Sequence, residues 1–228
     1  RVGSFKVSND TREPEQLTFY ANDWDRDATG SNPFYPLGTL PGSCRSRIQI
    51  FPQSVRVLPG ASESIRISLL PGDSTQSACW TVVFAETAPA ASRAGSRIAF
   101  VTRLGVKVYV TAGNATRDAT IDSMAVAPHL VEPGASAADS AVKQDVVIWF
   151  HNTGGAQLTA KGSAEFRTVD NKSVAKVTVD DTPVLPGALR QIRVPVPVTL
   201  ASGHYIALVV LSFGGSDDVA GQAGVDVP

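Results

Sequence analysis

Val57-Leu58-Pro59-Gly60-Ala61-Ser62-Glu63-Ser64-Ile65-Arg66-Ile67 returns 127 positions later as Val184-Leu185-Pro186-Gly187-Ala188-Leu189-Arg190-Gln191-Ile192-Arg193-Val194. Seven of the eleven residues are identical, and the last pair exchanges one β-branched residue for another. Each copy is a Pro-Gly turn feeding a strand with alternating polar and apolar residues. An internal repeat constrains architecture before other signals are weighed, and this one implies two copies of one β-domain.

Working outward, further elements recur in the same order. Val147-Ile148-Trp149-Phe150-His151-Asn152 echoes Phe5-Lys6-Val7-Ser8-Asn9, and the run from Gly203 to Leu211 corresponds to that from Cys79 to Phe84. Alternation predicts strands at 3–9, 16–25, 46–51, 54–58, 63–69, 79–86 and 97–110 in the first half. In the second half it predicts strands at 119–127, 143–151, 157–169, 173–180, 189–196, 203–213 and 219–227. Fifteen prolines and nineteen glycines placed between these runs argue against long helices. The expected fold class is all-β, two tandem immunoglobulin-like β-sandwiches. The first spans 1–111 and the second 118–228, joined by a linker at 112–117. Because the chain opens directly in a strand, a first strand preceding Arg1 is expected to be missing from this numbering.

Composition narrows the function classes. The 228 residues are 43% hydrophobic and 18% charged, as in an ordinary globular chain. A net charge of −1 and a pI near 6.3 leave no electrostatic footprint for nucleic acid. No apolar run approaches the length of a membrane span. The two cysteines, Cys44 and Cys79, form one possible disulfide within one domain, which would place the protein in the periplasm or outside the cell. Two buried thiols are the alternative.

Tests for chemistry return little. Asp23, Asp25 and Asp27 have the first spacings of a calcium loop, but Ala28 and Phe34 stand where such a loop needs Gly and Glu. His129, His151 and His204 are widely separated and lack zinc spacing. Asp180-Asp181 is a weak candidate for a carboxylate pair. No Gly-x-Ser-x-Gly elbow or phosphate-cradling loop occurs. The sequence supports no enzyme, no cofactor and no metal site. Trp24 is expected to pack between the sheets, near the cysteines.

The first half resembles the N-terminal domain of the PapD-like periplasmic chaperones that assemble pili. The resemblance rests on Phe5-x-Val7-x-Asn9, Leu17-Thr18-Phe19 and Trp24-Asp25, then Ile50-Phe51-Pro52-x-x-Val55-x-Val57-x-Pro59-Gly60-x-Ser62-x-x-Ile65-Arg66-Ile67, and the closing strand from Arg103 to Val110. The second half looks like a general bacterial surface immunoglobulin-like module. The resemblance implies capture of a pilin-like subunit by β-strand addition along 97–110. The apolar row would be Ile98, Phe100, Thr102 and Leu104, with Thr102 interrupting it. In the family a positive pair, one Arg from the first strand and one Lys from the last, anchors the subunit's C-terminal carboxylate; the strand that would carry the Arg is expected before Arg1, and the Lys has two candidate matches. Here Arg103 and Lys107 both lie near the expected place, and aligning one displaces the other. Two alternatives remain open at this stage. The alternation on this strand is also what a plain core face would show, and the whole chain would also suit a structural surface or filament protein that self-associates through strand edges.

Overall fold

The structure is a computed structural model that describes residues 3–71, 78–89, 100–131, 134 and 136–228. It divides into two compact units, Arg1–Asp25 with Pro33–Ala112, and Arg26–Asn32 with Gly113–Pro228.

The first unit contains β1 (Gly3–Ser8), β2 (Glu15–Trp24), β3 (Phe34–Tyr35), β4 (Ile48–Phe51), β5 (Ser54–Val57), β6 (Ser62–Leu69), β7 (Ala78–Thr87) and β8 (Arg103–Thr111). One sheet has the order β1-β6-β4, and the other has β3-β2-β7-β8 with β5 paired to β2. These strands pair antiparallel, and a single parallel bridge joins Ser43 to Trp80. Residues at every second position meet between the sheets, where Ile48, Ile67, Val83 and Val108 surround Cys44 and Cys79. The two cysteines are bridged, with Cα atoms 5.0 Å apart.

The second unit contains β9 (Ala119–Pro128), a short helix α1 (Ala137–Ala141), β10 (Gln144–Asn152), β11 (Leu158–Thr168), β12 (Ser173–Val184), β13 (Leu189–Pro195), β14 (Gly203–Ser212) and β15 (Val219–Val227). Its sheets have the orders β13-β10-β9 and β12-β11-β14-β15. The core between them holds Ile148, Phe150, Phe166, Val194, Val209 and Leu211. Each unit is therefore an antiparallel two-sheet sandwich, and the chain is all-β as its alternation implies.

The repeat is reproduced in pairing. Phe5 lies opposite Ile65 and Ile148 opposite Ile192, so β1 and β6 correspond to β10 and β13. Likewise β2, β7 and β8 correspond to β11, β14 and β15. The third strand of the smaller sheet differs. β6 takes β4 as its second neighbour, whereas in the other unit it is β10 that takes a second neighbour, β9.

The Val-Leu-Pro-Gly turns are held by two asparagines. Asn152 Nδ2 donates to the carbonyls of Ala156 (2.9 Å), Val184 (3.1 Å) and Leu185 (3.0 Å), and its Oδ1 accepts from the Gly154 N–H at 3.0 Å. Asn9 Nδ2 donates to the carbonyls of Glu13 (2.7 Å) and Val57 (3.0 Å), and its Oδ1 accepts from the Thr11 N–H at 2.9 Å. The backbone closes both corners in the same way: Gly60 N–H bonds the Asn9 carbonyl and Gly187 N–H that of Asn152. Gly60 and Gly187 both have φ of +70°, where a Cβ would be strained. Sequence similarity concentrates where a buried corner needs one amide, one Pro-Gly turn and no alternative.

Two expectations change. Strand β8 begins at Arg103, whose partner on β7 is Glu86; of the expected range 97–110, residues 100–102 precede the strand and 97–99 lie outside the described residues. Trp24 is buried, but its ring meets Tyr109 (5.7 Å between centroids) and Lys107, two positions whose alternation puts them on the sheet face away from the disulfide cluster. Two carboxylates of the Asp23–Asp27 stretch are engaged by nearby hydrogen-bond donors. Asp23 accepts from the Leu40 N–H and the Ser43 hydroxyl, and Asp27 Oδ1 accepts from the N–H groups of Thr29, Gly30 and Ser31. These bonds, that of the Thr29 hydroxyl foremost, hold the Asp27 carboxyl below its ordinary value. Among the described residues no cluster of three or more His, Cys, Asp or Glu side chains could hold a metal ion.

Candidate partner-binding edge

Among the described residues, strand β8 is the last strand of its sheet and pairs only with β7. Its second edge therefore offers backbone N–H and C=O groups to an incoming strand. The ladder continues one residue beyond the strand, since Thr87 N–H donates to the Thr102 carbonyl (3.0 Å) and Thr102 N–H to the Thr87 hydroxyl (3.0 Å).

Alternation puts Leu104, Val106, Val108 and Val110 on one face of β8. Along this row burial changes sharply. Val108 is 7% exposed and joins the core with Val110, whereas Val106 is 39% exposed and Leu104 68%. Phe100, just before the strand, is 76% exposed. The same periodic pattern thus serves as core at one end and as open apolar surface at the other. Sequence alternation cannot separate these two roles, because the difference lies in what the opposite sheet covers. Leu104 borders a cavity of about 400 Å³ whose walls include Lys6, Val7, Leu17, Ala85 and Thr102.

Among the expected row, Phe100 and Leu104 are exposed apolar side chains. Thr102 is also exposed and contributes its backbone to the ladder. Ile98 lies outside the described residues. Val106 was not singled out from the sequence, although it shares the parity of Leu104 and continues the exposed row.

The two cations occupy the other face, and each rests on an aromatic ring. The Arg103 guanidinium carbon stands 4.7 Å from the Phe84 ring centroid, and NH1 donates to the Tyr20 hydroxyl at 3.4 Å. Tyr20 in turn donates to Glu86 at 2.6 Å. The Tyr20 bond, reinforced by Glu86, raises the Arg103 pKa above its already high value, so this residue stays charged at any working pH. Lys107 Nζ lies 3.8 Å from the Trp24 ring centroid. Gly105 sits between them, where a Cβ would come within 2.9 Å of Phe84 and Val82. The absence of a side chain lets the Phe84 ring lie against the strand. Arg103 and Lys107 are thereby brought to the same face of one edge strand.

No family model matches the chain, and no curated protein matches it in sequence. Solved structures do match in fold. One is a chain of a chaperone–tip adhesin complex of CFA/I fimbriae biogenesis, 13% identical, covering 97% of this chain and 92% of that one with a TM-score of 0.52. The chain has the fold of the fimbrial periplasmic chaperones. Also similar are the class 5 fimbriae chaperone CfaA, at 14% identity over 100% of this chain and 94% of that one (TM-score 0.49), and the Pseudomonas aeruginosa chaperone CupB2, at 14% over 99% and 92% (TM-score 0.42). The likeness spans both units, including the second, whose sequence resembles a general surface module. No helix among the described residues is long and apolar enough to cross a membrane.

Proposed function

We propose that this protein is a periplasmic chaperone that binds a fimbrial-type subunit by β-strand addition along β8, and that it catalyses no reaction. The observation that carries this reading is the combination of a free strand edge with Phe100, Leu104 and Val106 exposed beside it. Main-chain hydrogen bonds to the edge would supply affinity, and the apolar row would fill the groove of a subunit lacking a strand. The disulfide of the first unit suits an oxidising compartment. The fold shared with a chain of a chaperone–tip adhesin complex supports the same class of partner. Arg103 and Lys107 are the candidates for holding the subunit's terminal carboxylate, with Arg103 offering the bidentate geometry such a group prefers.

Mixing the protein with a fimbrial subunit that lacks one strand should give a 1:1 complex by light scattering. Phe100→Glu and Leu104→Glu should each weaken it by at least about tenfold, from the roughly 1.5–3 kcal/mol of burying such a side chain. Both side chains are exposed in the free protein, so the variants should keep the parental circular dichroism spectrum. Failure to form a complex, or a complex indifferent to both substitutions, overturns the proposal. Arg103→Ala and Lys107→Ala, compared with a subunit whose terminal carboxylate is amidated, identify the anchor.

A further inference from the structure

Three neighbouring strands of the first unit bring Tyr20 from β2, Phe84 and Glu86 from β7, and Arg103 from β8 to one face of the sheet. Register sets Arg103 directly opposite Glu86, and Tyr20 directly opposite Phe84. Opposite charges facing each other on adjacent strands ordinarily close into a cross-strand pair. These two do not, and among the described residues Arg103 makes no ion pair. The Glu86 carboxylate instead accepts from the Tyr20 hydroxyl at 2.6 Å.

Tyr20 thereby occupies both charges at once. Its single proton is committed to Glu86, which leaves oxygen lone pairs for NH1 of Arg103 at 3.4 Å. The Phe84 ring, 4.7 Å from the guanidinium carbon, supports the group from below. Arg103 is exposed, and among the described residues its side chain makes no other hydrogen bond, so Nε and NH2 have no protein acceptor. Lys107 lies across the same two strands from Val82, so a competing acid directly opposite is a hazard for Arg103 and not for Lys107.

We infer that Tyr20 is a positioning residue for the carboxylate anchor: by engaging Glu86 it keeps Arg103 from pairing with that acid, so the guanidinium stays open to the terminal carboxylate of a bound subunit. This rests on the reading of β8 as the subunit-binding edge, and it names Arg103 as the anchor. A guanidinium already paired with Glu86 would have to leave it before meeting a second carboxylate, and only the unpaired fraction would bind. An exposed pair of this kind forms with an equilibrium constant of about 2–5. Loss of the Tyr20 hydroxyl would then leave roughly a third to a sixth of the molecules competent.

Tyr20→Phe keeps the ring and removes the hydroxyl. Its complex with a strand-deficient fimbrial subunit ending in a free carboxylate should weaken about threefold to sixfold, while the complex with the same subunit amidated at its terminus should not change. Adding Glu86→Gln removes the competing acid and should restore the parental affinity. A merely structural Tyr20 would weaken both complexes alike and would not be rescued. A readout without any subunit comes from double-mutant cycles of Arg103→Gln and Glu86→Gln in urea unfolding of the first unit. Their coupling should rise about twofold to fivefold, as an equilibrium factor, when Tyr20 is replaced by Phe. No loss with the free carboxylate, an equal loss with the amidated subunit, no rescue, or a coupling that does not rise each overturns the inference. Failure of the parent to bind either subunit overturns the reading of β8 instead, and the coupling then decides the role of Tyr20.

Discussion

Replacing Asn152 with alanine removes the amide that closes the second Val-Leu-Pro-Gly corner. The side chain is fully buried and takes part in four hydrogen bonds, three donated to carbonyls and one accepted from Gly154. Water cannot reach the site to replace them, so each broken bond costs about 1 kcal/mol, more where a buried carbonyl keeps no partner. The expected loss is about 3–5 kcal/mol, a large part of the stability of one sandwich. Asn9→Ala in the first unit should cost somewhat less, about 2–4 kcal/mol, because its bonds to Glu13 and Thr11 are only partly buried. Asn152→Asp should be no milder, since a carboxylate would face the same carbonyl oxygens without an N–H to offer. The assay is native-state hydrogen exchange with two reporters: the Gly187 amide, bonded to the Asn152 carbonyl, and the Gly60 amide, bonded to that of Asn9. Asn152→Ala should collapse protection at Gly187 and in the β10–β13 ladder while Gly60 keeps its own. A loss below about 1 kcal/mol, or equal losses at both amides, would refute the view that each corner is a separate buried hydrogen-bond node.

Two further outcomes follow from the same geometry. His129 bonds the buried Asp145 through Nδ1 at 2.7 Å and stands 3.4 Å from Asp139 through Nε2, while Arg193 donates to the other Asp145 oxygen. The Asp145 bond foremost raises the His129 pKa above 6.5. Its stabilisation is then complete below about pH 6.5 and fades as pH rises through the raised value, so urea midpoints should fall over that range and His129→Gln should flatten the trend; a parent as flat as the variant refutes it. Replacing Cys44 and Cys79 together by serine opens a cross-link with a sequence separation of 35 residues. It should cost the first unit about 3–4 kcal/mol in thermal or urea unfolding and leave the second unit's transition in place; a shift in both transitions would count against separate units.

Much of the fold was legible because strand periodicity is local. Most strands sit within a few residues of where alternation put them, and the Pro-Gly turns mark several of the corners. The exceptions have physical causes. β3 is two residues long, too short to alternate, and α1 holds five residues without an apolar stripe. β12 runs on to Val184, past the expected end at 180, because a bulge opposite Lys161 absorbs Asp180 and Asp181 and lets the strand continue through Pro183. These two carboxylates are therefore exposed strand residues beside a lysine. The segment Arg26–Asn32 joins the second unit because Arg190 NH1 donates to the carbonyls of Asp27 (2.8 Å) and Ala28 (2.9 Å), a contact across more than 160 positions that no local pattern announces.

The candidate site shows the same division. Phe100, Leu104, Arg103 and Lys107 could be named from the order of residues, since a strand displays its faces by parity alone. Whether Leu104 is core or surface depends on the opposing sheet, which covers Val108 and stops short of Leu104. What the two cations rest on depends on Tyr20, Phe84 and Trp24, which come from other strands. The repeated Val-Leu-Pro-Gly corner by itself determined a pair of β-sandwiches, because turn chemistry and alternation act over a few residues. Tertiary structure alone decided which strands are edges, which end of an apolar row is bare, and why two distant asparagines had to accompany the repeat. Those properties arise from what packs against a strand, and the strand's own sequence does not contain them.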